Sequence, residues 1–214
     1  MSATGRAAKV QVARRLETAR HGARLLDRKQ HILADQLERV EFHAEQASRE
    51  WQVLAREAAL WLQRAAALDG SLQIGAAAPL ESATVTYRWG NAMGVLYPDD
   101  PECFLPAMVP AGGSSALSYA AAAHHDALLA ALRYAAFQRS HMLLAAELAA
   151  TRTRKRAVEN RWIPRLEVQL RTIRRQLDAQ ELEEGLRLRW AADRNPRATV
   201  NKPAPALGSP SRVS

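Results

Sequence analysis

Cys103 is the only cysteine in this 214-residue chain. That excludes an internal disulfide and a cysteine-built zinc cluster, and it fits a reducing compartment. Aromatic residues are scarce too, at 6%, while alanine is abundant; this suits helices packed closely together better than a bulky globular core. No long apolar run is present. The most apolar stretch, ALSYAAAAHHDALLAALRYAAF at residues 116–137, holds two histidines, an aspartate and an arginine, which makes it a poor membrane span. The opening MSATGRAAKVQVARR is basic but has no apolar core behind it, so it is not expected to act as a secretion signal.

The chemistry-bearing motifs are equally thin. The chain contains no G-x-x-x-x-G-K-[ST] loop, no G-x-G-x-x-G and no G-x-S-x-G, so no phosphate cradle, dinucleotide site or nucleophile elbow is expected. His124, His125 and Asp126 form the densest polar trio. On a helix adjacent residues point about 100° apart, so the pair is badly placed to chelate from one face. Cys103 has no recognisable base near it in sequence and is read as a bystander. The expectation is therefore a protein with no catalytic residue, no metal and no cofactor of its own.

Charge is present in quantity. The formal net charge is +8, with an isoelectric point near 10.3, and calls for an acidic partner: nucleic acid, an anionic membrane or an acidic protein surface. Much of the positive charge sits in two places. Residues 6–29 carry Arg6, Lys9, Arg14, Arg15, Arg20, Arg24, Arg28 and Lys29 against Glu17 and Asp27. Residues 152–175 carry Arg154, Lys155, Arg156, Arg165, Arg171, Arg174 and Arg175 among others.

Periodicity supplies the fold. Stepping by four and three from Val12 gives Leu16, Ala19, Ala23, Leu26, Gln30, Leu33, Leu37, Val40, Ala44, Ala47, Trp51, Leu54, Ala58, Trp61, Ala65 and Leu68. All but Gln30 are apolar, where composition would make about half of them so. No proline interrupts this seam, and Gly70 is placed to stop it. A helix over residues 6–68 would run roughly 95 Å at about 1.5 Å per residue. Trp51 and Trp61 lie on the seam and are read as packing groups. Gly22 lies in mid-helix, where glycine costs about 1 kcal/mol relative to alanine; it is either simply tolerated or kept for close approach of a facing backbone.

Such a stripe needs a partner helix, and residues 115–193 supply one. Leu128, Leu132, Ala135, Met142, Ala146 and Ala149 form one heptad row; Leu166, Leu170, Ile173 and Leu177 form another, shifted in register by three residues across Pro164. A proline within a helix frees the carbonyl four residues earlier, here that of Asn160, and predicts a kink. Between the helices, Ala83–Trp89 is rich in β-formers, and GNAMGVLYPDDPECFLP follows with glycines and prolines, predicting a hairpin. The expected organisation is mainly α: a long antiparallel two-helix coiled coil with a small β-hairpin-containing foot. Its parts are helix 6–69, foot 70–114, helix 115–193 and a disordered tail at 194–214. Folding the chain back brings the two basic stretches to the tip opposite the foot.

Three stretches together resemble the D subunit of the V/A-type rotary ATPases, the central rotor shaft. They are LETARHGARLLDRK at Leu16–Lys29, MGVLYP at Met93–Pro98, and Arg154, Ala157, Glu159, Ile163, Pro164, Leu166 and Glu167 in the second helix. Lys155, Arg156 and Val158 depart from the family pattern. The resemblance implies a non-catalytic shaft that couples ATP synthesis or hydrolysis in a catalytic ring to proton or sodium translocation by rotation. It implies ring contacts at Arg14, Arg15, Arg20, Arg154, Lys155, Arg156, Arg165, Arg171, Arg174 and Arg175, a kink at Pro164, and foot contacts at Met93, Gly94, Val95 and Pro98. Implied partners are the catalytic and non-catalytic ring subunits, a small companion subunit, and a funnel-shaped subunit leading to the membrane ring. The implied location is cytoplasmic and peripheral to the membrane. The alternative from composition, a basic coiled coil that binds nucleic acid or serves as an adaptor, lacks both stacking aromatics in its basic stretches and a reader motif. No nucleic-acid partner is expected.

Overall fold

The computed structural model describes residues 2–77, 79, 81–106 and 112–194. Helix α1 spans Ser2–Ala76, strand β1 Thr84–Ala92, strand β2 Val95–Phe104 and helix α2 Ser115–Ala157; a π-helical turn, Val158–Trp162, leads into helix α3, Ile163–Arg194. The tail expected from residue 194 onward lies, past Arg194, outside the described residues. Two long helices flanking a two-stranded antiparallel sheet are the mainly α architecture that the heptads predict. Gly70 interrupts α1 rather than ending it: its φ of 76° and ψ of 167° are non-helical, and helical residues resume to Ala76.

The contacts group the chain into two compact units, one of residues 21–160 and one of residues 1–20 with 161–214. In the larger unit α1 and α2 run antiparallel. Leu33 and Val40 share a core with Leu144 and Leu148, and Ala65 packs with Ala116 and Ala120. Trp51 stacks on Tyr134 at 5.6 Å and Trp61 on Tyr119 at 4.8 Å between ring centroids, so both tryptophans are packing groups within the pair. On α1 the buried positions Ala23, Leu33, Val40, Ala44, Ala47, Ala58 and Ala65 all belong to the predicted seam. Leu68, the last member of that seam, is exposed.

The α2 row needs correcting. Leu128, Ala135, Met142, Ala146 and Ala149 are exposed, and Leu132 is only half-buried. The buried row runs instead through Ala116, Ala120, Ala127, Ala130, Leu144, Leu148 and Thr151, and half-buried Tyr134, Phe137 and His141 complete that heptad. This row is easy to miss because alanines fill its first half. Small side chains let the two backbones approach, and the larger Leu128 and Met142 are left with no layer to cover them. The corrected row also changes the register shift. It runs through Thr151, Lys155 and Val158, then resumes at Ile163, Leu166, Leu170, Ile173 and Leu177. The step from Val158 to Ile163 is five residues where a heptad needs four, so the slip is one residue, not three. A single π turn has that extra residue. It sits directly before Pro164, whose missing N–H cannot serve the Asn160 carbonyl.

The end of the larger unit is closed by Asp69. Its carboxylate accepts from the Ser114 N–H at 2.8 Å and from the Ser114 hydroxyl at 2.6 Å. A negative group is thereby held at the first turn of α2, where free backbone donors favour it.

The hairpin folds back along the flank of the helix pair rather than projecting past its end. Ala92, Val95 and Tyr97 pack on the Leu33, Val40, Leu144 and Leu148 cluster, which on α1 is roughly 45 Å from Asp69 at about 1.5 Å per residue. Gln36 Nε2 donates to the Tyr97 hydroxyl at 3.1 Å. The hydroxyl of buried Ser140 donates to the Pro98 carbonyl at 2.6 Å. The strands meet in a two-residue turn, Met93 and Gly94, both at positive φ (51° and 87°), the mirror-image turn that matches strand twist. The Gly94 N–H donates to Asn91 Oδ1 at 2.9 Å. Gly90 is required here: a Cβ would lie 2.5 Å from the Tyr97 ring.

Candidate functional site

The cationic side chains fall into two sets, those tied inside a unit and those aimed outward. In the larger unit, the tied set joins α1 to the end of α2. Lys29 Nζ donates to Glu147 Oε1 at 2.7 Å, Arg154 lies 3.7 Å from the same oxygen, and buried Thr151 places its hydroxyl 3.5 Å away. Lys155 hydrogen-bonds to Asp27. That hydrogen bond, more than charge attraction, holds the Asp27 carboxyl below the ordinary range and the Lys155 ammonium above its own; desolvation opposes both shifts. Likewise the Lys29 hydrogen bond is the main cause that lowers Glu147. The structural role of Lys155 is this tie to α1.

The outward set is larger. Among the described residues of this unit, Arg24, Arg28, Arg152 and Arg156 are exposed and enter no ion pair. Nothing in the structure explains Arg156 beyond its place on that outward face.

The smaller unit repeats the division. Leu16, Leu166 and Leu170 form its buried core, with Val12, Ala13, Ala19 and Ile163 against them. Arg20 bonds Glu167 at 2.7 Å and Arg6 bonds Glu181 at 3.3 Å. Leu177 lies over Gly5, where a Cβ would come within 3.0 Å of its methyl. Arg14, Arg15, Arg165, Arg171, Arg174 and Arg175 are exposed, and among the described residues none has an ion-pair partner. Exposed charges without partners contribute little to folding. They leave a dense positive surface free for something outside the chain.

Beyond Leu177, α3 carries a feature that the heptad reading leaves out. Leu182, Leu186 and Trp190 recur every four residues and are exposed, on the side of the helix opposite the Leu166–Leu177 row. The four-residue spacing is legible in the sequence, but it breaks from the seam and so escapes a search for the seam.

The other candidates have ordinary surroundings. His124 Nδ1 donates to the Ala120 carbonyl, and His125 faces Asp126 at 3.2 Å. Among the described residues no group of histidine, cysteine, aspartate or glutamate could hold a metal ion. Cys103 is half-buried in β2, opposite Val85. An alanine Cβ at Gly22 would meet nothing within 4 Å, so no facing backbone among the described residues requires that glycine. Of the residues in MGVLYP, Val95 packs on the helix cluster and Pro98 is buried; Met93 and Gly94 form the exposed turn.

Two long helices, a flanking hairpin and outward arginines are the main features of the described residues. A family profile described as that of the ATP synthase D subunit matches residues 9–193. The chain belongs to the ATP synthase D subunit family. Two relatives bear the name of the V-type ATP synthase D subunit. The one from Anaeromyxobacter dehalogenans (strain 2CP-C) is 31% identical over 212 residues, covering 92% of this chain and 98% of its own length. The one from Anaeromyxobacter sp. (strain K) is 30% identical over the same span, with the same coverage. In this member of the D subunit family the matched region takes in most of the helices, the hairpin, the π turn and every cation named above except Arg6.

Proposed function

We propose that this chain is the non-catalytic central-stalk subunit of a V-type ATP synthase, a rotor that couples ATP synthesis or hydrolysis in the catalytic ring to proton or sodium translocation. Helices 6–69 and 115–193 form the shaft and residues 70–114 its foot. The observation that carries this reading is the row of exposed, unpaired arginines on paired helices whose leucine seam is already filled. A shaft that turns inside a ring cannot rely on pockets keyed to one orientation. Charge acts at a distance and tolerates sliding, so Arg14, Arg15, Arg165, Arg171, Arg174 and Arg175 suit contact with acidic inner walls of the catalytic and non-catalytic ring subunits.

The other implied contacts follow from the same reading. Met93 and Gly94 present a rigid turn to the funnel-shaped subunit or the small companion subunit. No described helix is long and apolar enough to cross a membrane, in keeping with a cytoplasmic part held to the membrane by its partners. The π turn before Pro164 supplies the asymmetry that a rotor needs to open and close catalytic sites in sequence. The test is co-purification with an ATPase assay. The chain should be recovered with a catalytic ring, and adding it should change that ring's rate of ATP hydrolysis. A ring that neither retains the chain nor responds to it refutes the proposal; tight, salt-sensitive binding to DNA or RNA at physiological ionic strength would put nucleic-acid recognition in its place.

A further inference from the structure

Beside the hydrogen bonds that hold the hairpin, Gln36 to Tyr97 and Ser140 to Pro98, lies a side chain able to change its charge near neutral pH. His43 of α1 lines a cavity of about 200 Å³ where the hairpin meets the helix pair, together with Gln36, Arg39, Tyr97, Asp99 and Phe137. Three elements therefore surround it. From α2, the Phe137 ring stacks on the imidazole at 5.6 Å between centroids, 24° from parallel. On α1 itself, Phe42 meets it edge-on at 5.7 Å. From the hairpin comes Asp99, two residues beyond Tyr97 and so on the same side of β2, the side that packs on the helices.

The charges around His43 favour a cation there. Asp99 lines the cavity from the hairpin, while Asp35 and Glu38 share a neighbouring recess with His43 on α1. Arg39 borders both spaces and is the one like charge among these groups. Among the described residues Asp35, Glu38, Arg39 and Asp99 enter no ion pair; Arg88, which stands opposite Asp99 in the ladder, is committed to Asp100. The Tyr97 hydroxyl is held by Gln36, and α2 contributes Phe137 and Ser140, neither of which ionises. Three carboxylates against one guanidinium leave negative surroundings, and an aromatic face also attracts a cation. A neutral imidazole feels neither attraction.

We propose that His43 is a proton-operated latch for the hairpin: the imidazolium draws Asp99 of β2 and lies on Phe137, holding the hairpin to the helix pair, and the neutral ring gives up that hold. Histidine is the side chain whose charge ordinarily changes between about pH 5 and pH 8, a range in which carboxylates are ionised. The latch is therefore closed on the acid side and weakens as pH rises. The two hydrogen bonds remain in either state, so protonation changes how often the hairpin opens rather than where it lies. The device acts within this chain and does not depend on the proposed shaft role.

The test is amide hydrogen exchange on the full-length chain, corrected for the intrinsic pH dependence of exchange, with carbon NMR of the His43 ring. Protection of the β1–β2 ladder amides should be about two- to fivefold higher at about pH 5.5 than at about pH 8, the range expected for one exposed charge pair. The change should follow the His43 titration. His43→Lys, with its charge fixed, should keep the higher protection at both pH values, and His43→Gln the lower. Asp99→Asn should lose most of the pH response. Circular dichroism should stay unchanged, because His43 and Asp99 are exposed. Ladder protection that is constant with pH, or that changes away from the His43 titration, overturns the proposal. So does a response that survives in His43→Gln or is undiminished in Asp99→Asn, or a His43→Lys chain no better protected at about pH 8 than the unaltered one.

Discussion

Lys155 on α2 hydrogen-bonds Asp27 on α1, 128 residues away in sequence. This pair, with Lys29 and Glu147 beside it, ties the two helices of the larger unit at the point where α2 gives way to the π turn. It also makes the region pH-sensitive in a defined direction. Asp27 and Glu147 titrate below the ordinary carboxylate range, so their pairs stabilise the fold above about pH 4. That contribution is lost as pH falls through the depressed values. Lys155 titrates above the ordinary lysine range; its share is full below about pH 10 and is lost only as pH rises through the raised value.

The Lys155→Met variant should therefore return the Asp27 carboxyl toward its ordinary titration point, as read by NMR of the carboxyl carbon. Acid unfolding should begin at the same pH or higher, and stability at pH 7 should fall slightly. An unmoved Asp27 titration would mean that the pair does not persist in solution.

Two glycines of α1 and β1 should respond to alanine in opposite ways. Gly22→Ala adds a Cβ into open space, so thermal unfolding should show stabilisation of about 1 kcal/mol. Gly90→Ala drives a Cβ into the Tyr97 ring, displacing it from Gln36 and the helix cluster, and should cost about 1–3 kcal/mol. A stabilised Gly22→Ala chain that assembles poorly would reveal a partner backbone at that position.

Pro164→Ala restores a donor for the Asn160 carbonyl. The isolated chain should unfold at the same temperature or higher, while ions moved per ATP hydrolysed should fall in the assembled complex. Normal coupling would make the proline and its π turn incidental to function.

Reversing exposed, unpaired charges tests the proposed ring contact. Arg156→Glu with Arg171→Glu should leave the helical signal unchanged, weaken ring association about tenfold or more, and reduce its salt dependence. Arg154→Glu is a poorer probe because Arg154 already faces Glu147. Unchanged assembly would identify the arginines as a solvated face only.

The legible parts of this protein are those governed by local spacing. The α1 seam, the Leu166–Leu177 row, the hairpin and the proline that marks the π turn can all be read along the chain, because burial on a helix or strand repeats with its own period. The basic stretches are visible too, since charge needs no fold to be counted. The α2 seam is not, because the alanines that fill its first half look no more buried than their neighbours until a facing helix covers them. Nor can spacing show which cations are spent internally. Lys155 and Arg156 are adjacent in sequence, yet one is tied to Asp27 and the other is exposed.

The sequence by itself thus determined two long helices, an α1 seam that calls for a partner helix, and a large excess of positive charge. Tertiary structure decided which face of α2 is buried, the one-residue slip at the π turn, and the folding of the hairpin onto the helix flank with Trp89 and Leu96 left outside. The physical reason is range. Periodicity and charge are properties of neighbours in the chain, whereas close approach of small side chains and the satisfaction of one charge by another depend on residues that only folding brings together.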